Sequence, residues 1–303
     1  MRVYSRFSSH EEYLRRHSSE RIVITDDPKQ AEVLVSDAFT EADDHDALKA
    51  VVIPFTAHDK IDIDYMKRRR LALFNTTVHA PYVAERALQL MLSALGRIVF
   101  AHTRLKQGQW RAWEEGFPPW QSLYGKRVGI YGYGRIGRTF ARLIAPFAPE
   151  IFVIDRGKDY PGVKTVPTLE ALVETCDIVL IAAPLNRKTE GAFDQDILSR
   201  MEGGTLVNIG RGKIIEEKAL YEAARDGTLA AFASDVWYEY PEGHAPTLPS
   251  NYPLHTLDNV VMSPHCGGMA EESRRKMLEH VQKTLEAIAV DDYSGALDLE
   301  RLV

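Results

Sequence analysis

Cysteine is scarce in this chain: Cys176 and Cys266 are the only two among 303 residues. Two thiols so far apart exclude a disulfide scaffold and a structural zinc site, and no metal is expected. A reducing, cytoplasmic compartment is the expectation that follows. Long apolar runs are missing as well. No stretch reaches the roughly 18 consecutive apolar residues that a membrane span requires. The opening "MRVYSRFSSHEEYLRRH" has no apolar core of the secretory-signal kind. Positive charge is not in excess: 37 Lys and Arg face 43 Asp and Glu, a formal net charge of −6. Nucleic acid is therefore not expected as the main partner. The most basic cluster, "KRRR" at 67–70, ends a short helical pattern and reads as a solvated helix end. Short-period repeats and low-complexity tracts are also absent.

What is present is a globular composition, 45% hydrophobic and 26% charged, in a chain long enough for two domains. Short apolar runs alternate with helical patterns. "RIVIT" (21–25), "VLVS" (33–36), "VVIPF" (51–55) and "LALFN" (71–75) read as buried strands. "HEEYLRRH", "EADDHDALK" and "IDYMKRRR" between them read as short helices or helical turns. A long helix is predicted over 81–102, with Ala84, Leu88, Met91, Leu92 and Leu95 on one face. The alternation then restarts with strands at "KRVGIY", "IFVID", "DIVLIAA", "TLVNIG", "AAFASDV" and "NVVMSP", and ends in an amphipathic helix over 271–290. This pattern predicts two α/β domains, each a parallel sheet covered on both faces.

"VGIYGYGRIG" holds Gly132, Gly134 and Gly137 in G-x-G-x-x-G spacing, after a strand and at the start of a helix. That context gives the spacing its meaning: a tight turn, a close approach of backbone to a pyrophosphate, and close helix–strand packing. The helix start offers unpaired N–H groups to phosphates. The next strand ends in Asp155, 18 residues after Gly137. An acid there accepts hydrogen bonds from adenosine ribose hydroxyls and repels a 2′-phosphate, so NAD is expected over NADP. Arg156, which follows directly, softens that preference.

Three further groups stand at later strand ends, where open parallel sheets bind ligands. These are Arg211 in "NIGRG", Asp235 in "SDVW" and His265 in "SPHCGG". Hydride transfer from an alcohol needs a base near neutral pKa, which histidine supplies. It also needs a cation to hold a substrate carboxylate and polarise the carbonyl, which the arginine fork supplies. Each residue alone has a structural reading; their joint placement behind a dinucleotide fingerprint favours chemistry.

With these motifs, and with "VAERALQLML", "AAPLNRKTEG" and "DGTLAAFASDVW", the chain resembles the D-isomer-specific 2-hydroxyacid dehydrogenases from about Val51 to His280. The resemblance implies two Rossmann-like or flavodoxin-like domains, with an NAD domain (80–266) inserted into a split catalytic domain (1–79 plus 267–303). It also implies a homodimer and a small 2-oxo or 2-hydroxy acid as substrate. By position, Arg211 is similar to the family's carboxylate-binding and polarising arginine, and His265 to its acid/base histidine. Asp235 is similar to the residue that engages the nicotinamide carboxamide. Arg135 and Ile136 lie in the pyrophosphate turn. Ala183, Pro184 and Thr189 match the segment near adenosine and pyrophosphate, Ile209 and Gly210 the strand end under the nicotinamide, and Gly267, two residues after the histidine, is expected among the cofactor-binding residues. The alternative is a dinucleotide-responsive binding protein with little turnover.

Two departures from the family pattern stand out. The carboxylate that pairs with the histidine is expected five residues beyond the Asp of "DV", and here that position is Tyr240, with Glu239 one residue early. In an extended segment Glu239 faces the other way. A phenol brings no negative charge at neutral pH, so the acid limb of the rate should lie at lower pH than in relatives that carry the carboxylate. A pH–rate profile matching theirs would contradict this. On the substrate side, "VIPFTAHDKID" corresponds to the loop whose backbone N–H groups hold the substrate carboxylate, with Ala57 at the glycine place and His58 after it. His79 stands where relatives often have Asn. These histidines read either as a polar pocket lining or as hydrogen-bond partners of neighbouring backbone. "WRAWEEGFPPW" (110–120) reads as core and dimer packing, or as an aromatic lid over a partner's site.

Overall fold

The computed structural model describes residues 1–110 and 118–302. The chain divides into two compact units, one comprising Met1–His79 and Met269–Val303 and the other Ala80–Gly268.

The first unit holds strands β1 (Arg2–Ser5), β2 (Val23–Ile24), β3 (Val33–Val35), β4 (Ala50–Ile53) and β5 (Ala72–Asn75). They form a parallel sheet in the order β2-β1-β3-β4-β5, the flavodoxin-like arrangement. Every residue of β3 and β4 is buried, as two covered faces require. Alternate side chains divide the core. Val33, Val35 and Val52 pack with Val3, Leu14 and with Val281, Leu285 and Ile288 of helix Glu271–Ile288. Leu34, Val51 and Ile53 pack on the other side with Phe39, Met66 and Leu73. Strand β1 is not legible in the sequence, because only Val3 and Ser5 of its four residues are buried. The helix expected over "EADDHDALK" shrinks to a 3-10 turn, Glu41–Asp43. There the Asp43 carboxylate accepts the Thr40 N–H at 2.8 Å, the local bond by which Asp competes with helix.

Two histidines in this unit are buried, His10 and His79. Burial pushes each imidazole down to about 4, with the Arg274 charge adding to the effect at His10. Below the usual 6.5 the unfolded chain takes up protons that these folded sites refuse. Their contribution to stability is therefore complete above about pH 6.5 and is lost as pH falls toward 4. Thermal melts from pH 7 to pH 5 should show a falling midpoint, and His10→Gln should flatten that slope. An unchanged slope in the variant would refute the assignment.

The second unit holds β6 (Arg127–Tyr131), β7 (Glu150–Ile154), β8 (Lys164–Val166), β9 (Ile178–Ile181), β10 (Gly204–Asn208), β11 (Leu229–Ser234) and β12 (Val260–Met262). All pairings are parallel, in the order β12-β11-β10-β9-β6-β7-β8. The chain winds outward in both directions from the β6–β9 pair, the switch point of a dinucleotide fold. Strand β8 escapes sequence reading because two of its three residues are exposed. The single helix expected over 81–102 is two, Ala80–Leu95 and Ile98–Lys106. They are separated by Gly96 and by Arg97, whose φ of +49° ends the first. Ala84, Ala87, Met91 and Leu95 face the core as periodicity requires, whereas Leu92, Ile98, Val99 and Leu105 are exposed. Trp110 and Trp120 are exposed and do not enter the core. Trp113, between them, lies outside the described residues. No helix among the described residues is long and apolar enough to cross a membrane.

Candidate active site

The carboxyl edge of the second unit's sheet carries the candidate residues. After β6 the glycine turn begins. Gly132 has φ +104°, and a Cβ there would stand 2.6 Å from the Ala182 carbonyl carbon and closer still to the Ala183 nitrogen. The turn after β6 thus lies directly on the strand end of β9. A Cβ on Gly137 would collide with the Gly132 carbonyl oxygen. Gly134, by contrast, opens onto empty space, with nothing within 4 Å of an added Cβ. It precedes helix Arg135–Ile144, whose first N–H groups, including those of Arg135 and Ile136, have no partner within the helix. A tight turn, an open glycine and a helix start fit the pyrophosphate of a dinucleotide.

Asp155 follows β7 and is exposed. Its Oδ1 accepts the Gly157 N–H at 2.8 Å, which turns the chain sharply after the strand. Beyond β9, Ala183 is buried and Pro184 exposed. The buried Thr189 hydroxyl donates to the Pro184 carbonyl at 2.7 Å and accepts the Asn186 N–H at 2.9 Å. Thr189 therefore shapes this loop. Ile209 is buried and its N–H donates to Ile181 at 3.1 Å. A Cβ on Gly210 would stand 2.7 Å from the Ala183 carbonyl oxygen, so the β9 and β10 ends abut.

Arg211 is held by a residue that sequence reading passed over. Asn208, fully buried, donates from Nδ2 to the Arg211 carbonyl at 2.9 Å and accepts the Gly210 N–H on Oδ1 at 2.9 Å. This clamp folds the turn that presents the Arg211 side chain, whose Nη1 donates to the Gly210 carbonyl at 2.9 Å. The Asn of "NIGRG" was the available signal. Asp235, after β11, is 3% exposed. Its two carboxylate oxygens accept the Cys266 N–H at 3.0 Å and the Gly267 N–H at 2.7 Å. His265, exposed beyond β12, has φ +54°. The Tyr240 ring stands 5.4 Å from the His265 ring, tilted by 54°, and the phenol oxygen accepts the Trp237 N–H at 3.1 Å. Glu239 is turned to Asn251 instead, at 3.0 Å. The sheet edge thus brings Arg211, Asp235, Tyr240 and His265 onto neighbouring loops.

Ala57, His58 and His79 belong to the first unit, at the carboxyl ends of β4 and β5. The Thr56 hydroxyl donates to the Thr76 carbonyl at 3.1 Å. It has one proton, so its 3.1 Å contact with His79 requires the imidazole Nε2–H to donate. Thr56, Ala57 and His58 present backbone N–H groups with no acceptor among the described residues. No cluster of His, Cys, Asp and Glu suited to a metal occurs among the described residues.

Residues 88–267 match the family model described as D-isomer specific 2-hydroxyacid dehydrogenase, NAD binding domain. A glyoxylate reductase of Korarchaeum cryptofilum is 34% identical over 248 residues, covering 79% of this chain and 73% of that protein. The chain belongs to this family. This dehydrogenase is also similar to solved structures along its length. An NADPH-dependent glyoxylate/hydroxypyruvate reductase from Sinorhizobium meliloti, in complex with NADP and malonate, superposes with a TM-score of 0.79 at 27% identity, over 94% of this chain and 92% of that one. An NAD-dependent formate dehydrogenase from Staphylococcus aureus, in complex with NAD, superposes at 0.80 with 26% identity, over 96% of each chain. The enzyme reading therefore replaces the alternative of a binding protein with little turnover.

Proposed function

We propose that this dehydrogenase works as a reductase of small 2-oxo acids of the glyoxylate and hydroxypyruvate type, using NADH, and that it does so as a homodimer. The observation that carries the reading is the placement of Arg211 and His265 on the loops after β10 and β12, on the sheet edge that also carries the glycine turn. When bound, the cofactor supplies a hydride to the substrate C2. The chain's residues supply the rest. Gly132, Gly134 and Gly137 would let backbone approach the pyrophosphate, and Asp155 would accept from the adenosine ribose hydroxyls. The Arg211 fork holds the substrate carboxylate and draws electron density from the C2 carbonyl. His265 delivers the proton to the 2-oxygen on reduction and takes it back on oxidation. Tyr240, packed against the imidazole, limits its orientation without adding charge. Leu92, Ile98, Val99 and Leu105 are exposed on two successive helices, apolar surface that a second copy could cover, and they support the homodimer.

The test is NADH consumption with glyoxylate, hydroxypyruvate, pyruvate, and branched and aromatic 2-oxo acids. Turnover should be fastest with the two- and three-carbon acids. Tight NADH binding with no turnover on any would overturn the reading. In the same assay NADH should bind at least about tenfold tighter than NADPH, because the Asp155 carboxylate repels a 2′-phosphate. Asp155→Ala should narrow that gap.

A further inference from the structure

We propose that Asp235 is a positioning residue: its carboxylate holds the turn that carries His265, and it acts on proton transfer through that turn. The proposal rests on His265 as the acid/base of the preceding reading. Its own support is the bonding around the turn.

The turn from Ser263 to Gly267 is tied at both ends to β11 and the residues that directly follow it. At its start the Ser263 N–H donates to the Ser234 carbonyl at 2.9 Å, and the Ser263 carbonyl accepts the Trp237 indole N–H at 2.8 Å. At its far side the two Asp235 oxygens take the Cys266 and Gly267 N–H groups. His265 sits between these anchors in the left-handed region, its N–H bonded back to the Ser263 carbonyl at 3.0 Å. That conformation is uncommon for a residue with a Cβ and persists where surrounding bonds hold it. The Asp235 carboxylate is such a bond, charge-assisted and almost fully buried. Gly267 is shaped to allow it, since a Cβ there would stand 2.8 Å from Asp235 Oδ2. Asp235 is fixed in turn, because its own N–H donates to the Asn208 carbonyl at 3.1 Å. Asn208 thus clamps the Arg211 turn with its side chain and seats Asp235 with its carbonyl.

The discriminating substitution is Asp235→Asn. It preserves size, but both oxygens now accept from backbone N–H groups, and an amide has only one oxygen. Its NH2 must face a donor, so one half of the anchor is lost and the histidine turn shifts. With NADH and glyoxylate, kcat should fall about 100-fold, the scale of an ångström's misplacement at a reacting group. The Kd for NADH should stay within about twofold of wild type. In a His265→Ala background the same substitution should cost less than about twofold more, because both changes remove one function. Trp237→Phe, which removes the indole bond to the Ser263 carbonyl, should lower kcat in the same direction and be equally silent without His265. It carries the test should Asp235→Asn not fold. A tenfold loss of NADH affinity with kcat unchanged at saturation would place Asp235 on the nicotinamide and overturn the proposal, as would losses that multiply with His265→Ala. Activity surviving His265→Ala alone would instead overturn the acid/base reading.

Discussion

Arg211→Ala is expected to lower kcat/KM by roughly a thousandfold or more while the Kd for NADH changes by less than about twofold. One preorganised donor to a developing oxyanion is worth about 100- to 1,000-fold, and this side chain is asked both to bind a carboxylate and to polarise a carbonyl. The fold should survive. The buried Asn208 holds the turn through the backbone oxygen of residue 211, which alanine keeps, and the Arg211 side chain is only half-buried. Arg211→Lys should recover little, since an ammonium offers a point charge where a planar fork is needed. The measurement is a steady-state comparison beside NADH fluorescence titration. Activity within tenfold of wild type would remove Arg211 from the mechanism.

Gly132→Ala should be the most damaging change to the dinucleotide turn. The backbone there has φ +104°, and the added Cβ would meet the backbone of Ala182 and Ala183 rather than a side chain able to swing aside. Overpacking alone costs about 1–3 kcal/mol, and a left-handed conformation adds roughly 1–2 kcal/mol for a residue with a Cβ. For a unit of this size a loss near 3 kcal/mol corresponds to about 6–12 °C in melting temperature. Cofactor binding should be lost beyond that, because relief of the clash pushes the turn away from the β9 end. Gly134→Ala makes the control: its Cβ meets no protein atom, so it should melt near wild type and lose only NADH affinity. Equal melting temperatures for all three proteins would show that the Gly132 contact is not limiting.

Much of this architecture was legible in the sequence, for identifiable reasons. Strands such as "IVLI" and "VLV" are buried on both faces and announce themselves as apolar runs. The glycine spacing, read with its strand and helix, located the β6 turn. The parts that escaped reading depend on long-range partners. Strand β1 is paired on both sides in its sheet yet exposes Arg2 and half-exposes Tyr4, so no local pattern marks it. Nothing in "SDVW" shows that Asp235 bonds to residues 31 and 32 positions away. Nor does the polar Asn208 look like a core residue until its amide is seen closing the Arg211 turn. The apolar periodicity of 81–102 runs unbroken across two helices, because the break lies at a single dihedral, Arg97, that only the backbone reveals.

The core of the first unit has a consequence for the order in which the protein is made. Val3, Val33 and Val52 pack against Val281, Leu285 and Ile288, so that layer waits for a helix that follows the whole second unit in sequence. The second unit, Ala80–Gly268, is drawn from one uninterrupted segment. On a ribosome adding about 5–20 residues per second, the inserted unit can close its sheet first, while the five strands of its host remain without their covering helix. Emergence of helix Glu271–Ile288, rather than any local event in the first 79 residues, is then what completes this layer of the first unit's core.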